Sequence, residues 1–164
     1  MRGNIALWLP MLLFASSAQA TTISVTPGSS ALLVQIGTSG GTIDKVTFTL
    51  TAGNVGNGTP VVGTPSILVN VAARGPGSRS VQLVADSSVQ MSNGASTLPF
   101  SQISWSASDA DIPSGTFSGA SGQLLVTFFA NFQLFNIHTF QYANTQVLQP
   151  GTYTGRVTYT VSMP

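Results

Sequence analysis

The chain is 164 residues long and carries five Lys and Arg against four Asp, with no Glu, one His and no Cys. So sparse a charge offers no basic field for nucleic acid or anionic lipid, and without Cys there is no disulfide, thiolate metal ligand or cysteine nucleophile. A surface this neutral must be covered by Ser, Thr, Asn, Gln and Gly, and near-zero net charge favours association over solitary solubility.

Residues 1–20 read as a cleaved secretory signal peptide: a basic start at Arg2, an apolar run from Ile5 to Ala15, and Ala18-Gln19-Ala20 before the cleavage point. The apolar run is shorter than the roughly 20 residues a membrane span needs. Losing Arg2 with the leader sets four bases (Lys45, Arg74, Arg79, Arg156) against four acids (Asp44, Asp86, Asp109, Asp111), a net charge of zero. The expectation is one domain, 21–164, exported through the Sec pathway and soluble or assembled outside the inner membrane. No membrane insertion is expected after cleavage.

From Thr21, Ile23 and Val25 alternate with hydroxyl residues until Pro27-Gly28, which suits a short first strand or an extended arm. Ala31–Ile36 is a second apolar run. Over 43–51, Val46, Phe48 and Leu50 alternate with Lys and Thr, the clearest early strand pattern; 52–65 is loop chemistry rich in Gly, Asn and Pro. Ile67, Val69 and Val71 form another alternating set, and Arg74-Gly-Pro-Gly77 turns the chain into Val81, Leu83 and Ala85. Ile103 and Trp105 are expected inward, 109–115 in a loop, and Phe117, Leu124, Val126 and Phe128 in continuing strands. The aromatic run 128–142 alternates imperfectly, which suggests a bulge or a strand buried on both faces. After the Pro150-Gly151 turn, Tyr153, Val157, Tyr159 and Val161 share one face with Gly155, while Thr and Ser occupy the other. Tyr153 also suits a tyrosine corner, its hydroxyl reaching back to upstream backbone. No apolar set recurs at helical spacing, so the fold class expected is all-β: an immunoglobulin-like antiparallel β-sandwich that stops short of its final strand.

No catalytic constellation, metal site or cofactor is expected. His138 is the only histidine and has no surrounding motif; it reads as a structural or surface residue. Asp109 and Asp111 could share a face as paired carboxylates or oxygen ligands, but they lack the remaining positions of a calcium loop and read as caps of a solvated turn. Asn57-Gly-Thr59 fits a glycosylation acceptor, and Arg74 and Arg79 flank a glycine-rich hairpin tip. The aromatics of 128–140 suit a sandwich core, or a groove or partner surface.

Ser92-Asn-Gly followed by Pro99-Phe-Ser-Gln-Ile-Ser-Trp105, and the closing Pro150-Gly-Thr-Tyr-Thr-Gly-Arg-Val-Thr-Tyr-Thr-Val-Ser162, resemble the exported pilin-like β-sandwich subunits of bacterial chaperone–usher systems, including the spore-coat-U-like type. Unlike many such subunits, the chain has no disulfide, and Pro27 ends its arm early. The resemblance implies a structural, non-enzymatic subunit of a surface fibre or coat, its sheet completed by a strand from a like subunit or a periplasmic chaperone. Ile23 and Val25 would lie on the exchanged arm, and Tyr153, Val157, Tyr159 and Val161 on the open-edge strand. The alternative expectation is a self-contained secreted binding or adhesive module recognising carbohydrate or a host-surface partner through an aromatic platform.

Overall fold

The computed structural model describes residues 22–24 (as backbone only), 30–37, 45–94 and 96–164. The leader, Val25 and Asp44 lie outside the described residues. Twelve strands account for nearly all the regular structure: β1 (Thr22–Ser24), β2 (Ala31–Ile36), β3 (Val61–Val62), β4 (Ile67–Arg74), β5 (Ser80–Asp86), β6 (Met91–Asn93), β7 (Ser96–Leu98), β8 (Ile103–Ala107), β9 (Gly115–Thr116), β10 (Gln123–Phe129), β11 (Gln133–Tyr142) and β12 (Thr158–Ser162). Two 3-10 turns, Ala52–Asn54 and Phe100–Gln102, are the only helical pieces among the described residues.

All pairings are antiparallel. The large sheet runs β1-β2-β4-β11-β8-β9, with β3 also on β11; the small sheet runs β10-β5-β12; β6 and β7 form a separate hairpin. The chain is therefore an all-β sandwich, and period-2 patterning is what makes it one. Ile67, Val69, Val71 and Ala73 of β4 face Val81, Leu83 and Ala85 of β5 across the interior, and all seven are buried. β11 alternates without fault: Leu134, Asn136, His138, Phe140 and Tyr142 point inward.

Two apolar clusters fill the interior. One joins Phe100, Trp105, Phe117, Phe140 and Tyr142, with Trp105 and Phe117 centroids 4.9 Å apart and Phe117 stacked on Phe140 at 6.0 Å. The other joins Val69, Val71, Val81, Leu83, Phe128 and Leu134. Gly115 belongs to the first by necessity: a Cβ there would stand 2.7 Å from the Trp105 ring.

The structure corrects three expectations. Residues 45–51 keep the alternation read from the sequence, with Val46, Phe48 and Leu50 half-buried against the first cluster, yet they form no ladder beyond a single Thr47–Thr64 bridge. Their periodicity comes from packing on the core, while β11's edge at Gln141 and Tyr142 is taken by β3. Leu124, grouped by the sequence with Val126 and Phe128 as one continuing alternation, is exposed and out of phase with them, because the register shifts between Leu124 and Val126 and Leu125 turns to the core instead. The irregularity expected within 128–142 is instead the turn between β10 and β11, where Asn131 adopts φ 70°.

Candidate functional site

The most distinctive feature is an incompletely closed side. The large sheet ends there in β2 and β1, the small sheet in β12, and β2 and β12 lie against each other across the sandwich. Each uses strict alternation to aim one row inward: Leu32, Val34 and Ile36 from β2, and Tyr159, Val161 and Met163 from β12 and its continuation, all against the second cluster. Every inward residue of the neighbouring β4 and β5 is buried, whereas every one of these six remains half-buried. At Val34, Ile36, Tyr159 and Val161 the difference follows from sheet position, because a residue on an inner strand is screened from both flanks and an edge residue from one. Along its other flank β12 has no strand partner among the described residues, so alternate backbone N–H and C=O groups of 158–162 face outward.

Among the described residues β12 is paired as a strand only with β5, in the register Thr158 to Asp86 through Ser162 to Gln82. Burial pushes the Tyr159 phenol above its ordinary range. The open-edge strand expected from Tyr153 is shorter at its start. Val157 sits immediately before β12 with its side chain half-buried, and Tyr153 precedes it in an irregular segment tied to β6 by mutual Ser92–Thr154 backbone bonds of 2.9 and 3.0 Å. The inward phase nevertheless continues back to Gly155, where a Cβ would stand 2.5 Å from Met91 Cγ. No tyrosine corner forms: the Tyr153 hydroxyl is buried with no hydrogen-bond partner, as is that of Tyr142.

Ile23 lies on β1, whose backbone pairs Thr22 with Leu33, Ile23 with Leu32 and Ser24 with Ala31. The arm segment is thus folded back on β2 of its own chain. Val34, Gln35 and Ile36 extend past it with no strand partner on that flank among the described residues.

The polar candidates resolve into scaffolding. Asp109 Oδ1 accepts the Asp111 N–H at 2.9 Å and the Asn136 amide at 2.9 Å, the bonding of a capped turn. His138 is fully buried, stacked 5.9 Å from Trp105 and edge-on to Phe140 at 6.2 Å, and neither ring nitrogen has a partner. Burial pushes its pKa down to about 4 against a smaller opposing pull from Asp109, which leaves a neutral core imidazole. Asn57 Oδ1 accepts from Thr59 N–H and from Asn144, both at 2.9 Å. Arg74 donates to the Asn131 carbonyl at 3.3 Å and ties two hairpin tips together. The aromatics of 128–140 divide: Phe128 and Phe140 are core, while Phe129, Phe132 and Phe135 are exposed. Phe129 points outward from the small sheet and Phe135 outward from the large one, so they face away from each other and form no single platform.

Two groups of functional weight escape a reading of the sequence. One is the β2 half of the seam, whose only signal is the alternation of Leu32, Val34 and Ile36. The other is a pair of fully buried asparagines that order loops. Asn136 holds 108–112, and Asn144 holds 54–59 through bonds to Gly56 N–H, the Asn54 and Thr59 carbonyls and Asn57. Among the described residues no three His, Cys, Asp or Glu side chains gather as a metal site would require, and no helix is long and apolar enough to cross a membrane. No family model matches the chain, and neither does any curated protein or solved structure.

Proposed function

We propose that this domain is a structural subunit of a bacterial surface fibre or coat, joined to its neighbour, or held by a chaperone, through β-strand addition along β12. The observation that carries the reading is the seam: β12 has an unpaired outer flank among the described residues, and the inward rows of both β12 and β2 stay half-buried. An added strand would satisfy the outward N–H and C=O groups. Its alternate apolar side chains would pack against the half-buried rows of β12 and β2, so main-chain bonds give strength and side-chain alternation gives register. The arm around Ile23 supplies a donor of the right alternation, provided it leaves its place on β2.

Two proline variants test this. Successive N–H groups on a strand point to opposite flanks, so one of Thr160→Pro and Val161→Pro removes a bond to β5 and the other removes a donor from the open flank. One variant should lose thermal stability. The other should keep its fold but fail to assemble, read by light scattering of protein exported to the periplasm. Assembly of both variants at the wild-type level, or a wild type that stays monomeric at high concentration, would overturn the proposal.

A further inference from the structure

One end of the sandwich brings together two cations and two aromatic rings that lie far apart in the sequence. Two connections cross that end side by side: 75–79 runs from β4 in the large sheet to β5 in the small one, and 130–132 returns from β10 to β11. Their backbones lock together. The Ala130 N–H donates to the Arg79 carbonyl and the Asn131 N–H to the Ala73 carbonyl, both at 2.8 Å, and the Ala73 N–H to the Phe132 carbonyl at 3.1 Å. Asn131 adds its side chain, whose amide donates to the Gly75 carbonyl at 2.9 Å and whose Oδ1 accepts the Gly75 N–H at 3.3 Å. The locked pair carries Arg74 and Phe132 at the large-sheet side, and Arg79 and Phe129 at the small-sheet side. All four are exposed, Phe129 by 62% and Phe132 by 63%. Of the five N–H donors on Arg74, one reaches the Asn131 carbonyl at 3.3 Å. Among the described acids, Asp86 closes the far end of β5, and Asp109 caps a turn with Asp111 after β8.

We propose that this end binds an acidic polysaccharide in which a carboxylate-bearing sugar alternates with a neutral one. An exposed aromatic ring takes the apolar C–H face of a pyranose, and a guanidinium fork takes a carboxylate through two parallel N–H bonds. Each sheet supplies one Arg and one Phe. Packed sheets lie about 10 Å apart, and an extended chain that is charged on every second sugar repeats at about that distance. Other anions fit less well. Each strand of a nucleic acid duplex carries a charge about every 3.4 Å, far denser than these two cations can match. A flat bilayer that takes the Phe132 ring at the tip misses Phe129, which leaves the small sheet through its outer face. A single extended chain bends over the end and reaches both. Because the two connections are already bonded to each other, binding has little backbone left to order. The site uses nothing on the open flank of β12 and is independent of strand addition.

Calorimetric titration of the full chain with hyaluronate oligosaccharides, in which a uronate alternates with a neutral amino sugar, tests the site. Binding should be reversible and should weaken as salt is added. Arg79→Gln removes one charge and should weaken it about tenfold, and Phe132→Ser about fivefold, each with unchanged circular dichroism. Arg79→Lys restores the charge without the planar fork and should recover only part of the loss. Dextran, which is neutral, polyglutamate, which has the carboxylates without the sugar, and phosphatidylglycerol vesicles should all bind more weakly than hyaluronate. Three results overturn the inference: no heat of hyaluronate binding at millimolar repeat units, affinity unmoved by Arg79→Gln and Phe132→Ser, or polyglutamate or vesicles held as tightly. None of them bears on strand addition, because assembly is read separately by light scattering and should be the same in Arg79→Gln as in wild type.

Discussion

The single histidine gives the sharpest quantitative prediction. His138 lies inside the sandwich between Trp105 and Phe140 with both ring nitrogens unpartnered, and burial pushes its pKa down to about 4 from the ordinary 6.5. The unfolded chain therefore binds a proton that the folded chain refuses. Stability is complete above pH 6.5 and is lost as pH falls toward 4. With those two values the linkage relation gives a loss of about 2 kcal/mol at pH 5 relative to pH 7.5. Asp86 is held below the ordinary carboxylate value by the Ser88 hydroxyl and N–H, so it titrates beneath this window. His138→Met, close in volume and adaptable, removes the titrating group and leaves the packing nearly filled. It forfeits a ring stack of about 1 kcal/mol but also removes unpaired polar atoms of similar cost, so stability at pH 7.5 should stay within about 1 kcal/mol of wild type. Urea unfolding followed by circular dichroism at pH 5 and 7.5 reads both numbers. A wild type equally stable at the two values, or a Met variant with the same slope, refutes the argument from burial.

Two further substitutions probe the scaffold around the seam. Asn144→Ala leaves the Gly56 N–H and the Asn54 and Thr59 carbonyls without their buried partner. It should cost about 3 kcal/mol in denaturant unfolding and speed proteolysis within 52–60. Gly155→Ala puts a methyl 3.0 Å from the Met91 backbone and from Phe100, which displaces the segment that leads into β12; a loss of about 1–3 kcal/mol should appear as a lower Tm.

What could be read from residues alone was whatever repeats every second position. The inward sets of β4, β5 and β12 are legible because each strand packs one face on the core and alternates without interruption. The same rule misleads at 45–51, since alternation records which side chains are buried and not whether the backbone finds a ladder. It fails at Leu124 because one bulge inverts the phase of the residues behind it. The β6–β7 hairpin has three residues per strand, too few for any period to register. Asn136 and Asn144 were invisible for another reason. An asparagine in a polar stretch looks like any turn residue, and the bonds that define these two reach 24 to 90 positions along the chain. The seam was half legible: Tyr159 and Val161 announce a strand, but only the strand order brings β2 alongside.

That strand order also bears on why β12 in particular should receive a partner. An open sheet edge is a hazard that proteins blunt by shortening the strand, bulging it, or placing charge or proline on it. Among the described residues, the other strands that end the two sheets are blunted in this way. β1 has three residues, β3 and β9 two each, and β10 carries the register shift at Leu124 and Val126. β12 has none of these devices. It pairs in continuous register over five residues, Thr-Tyr-Thr-Val-Ser, with no charge, proline or bulge. If the β12 flank faced only water, a single lysine at Thr160 would be a nearly neutral substitution and a better guard. Thr160→Lys should accordingly leave the Tm unchanged while suppressing assembly, and an assembly indifferent to that charge would mean that the unguarded strand has no partner to receive.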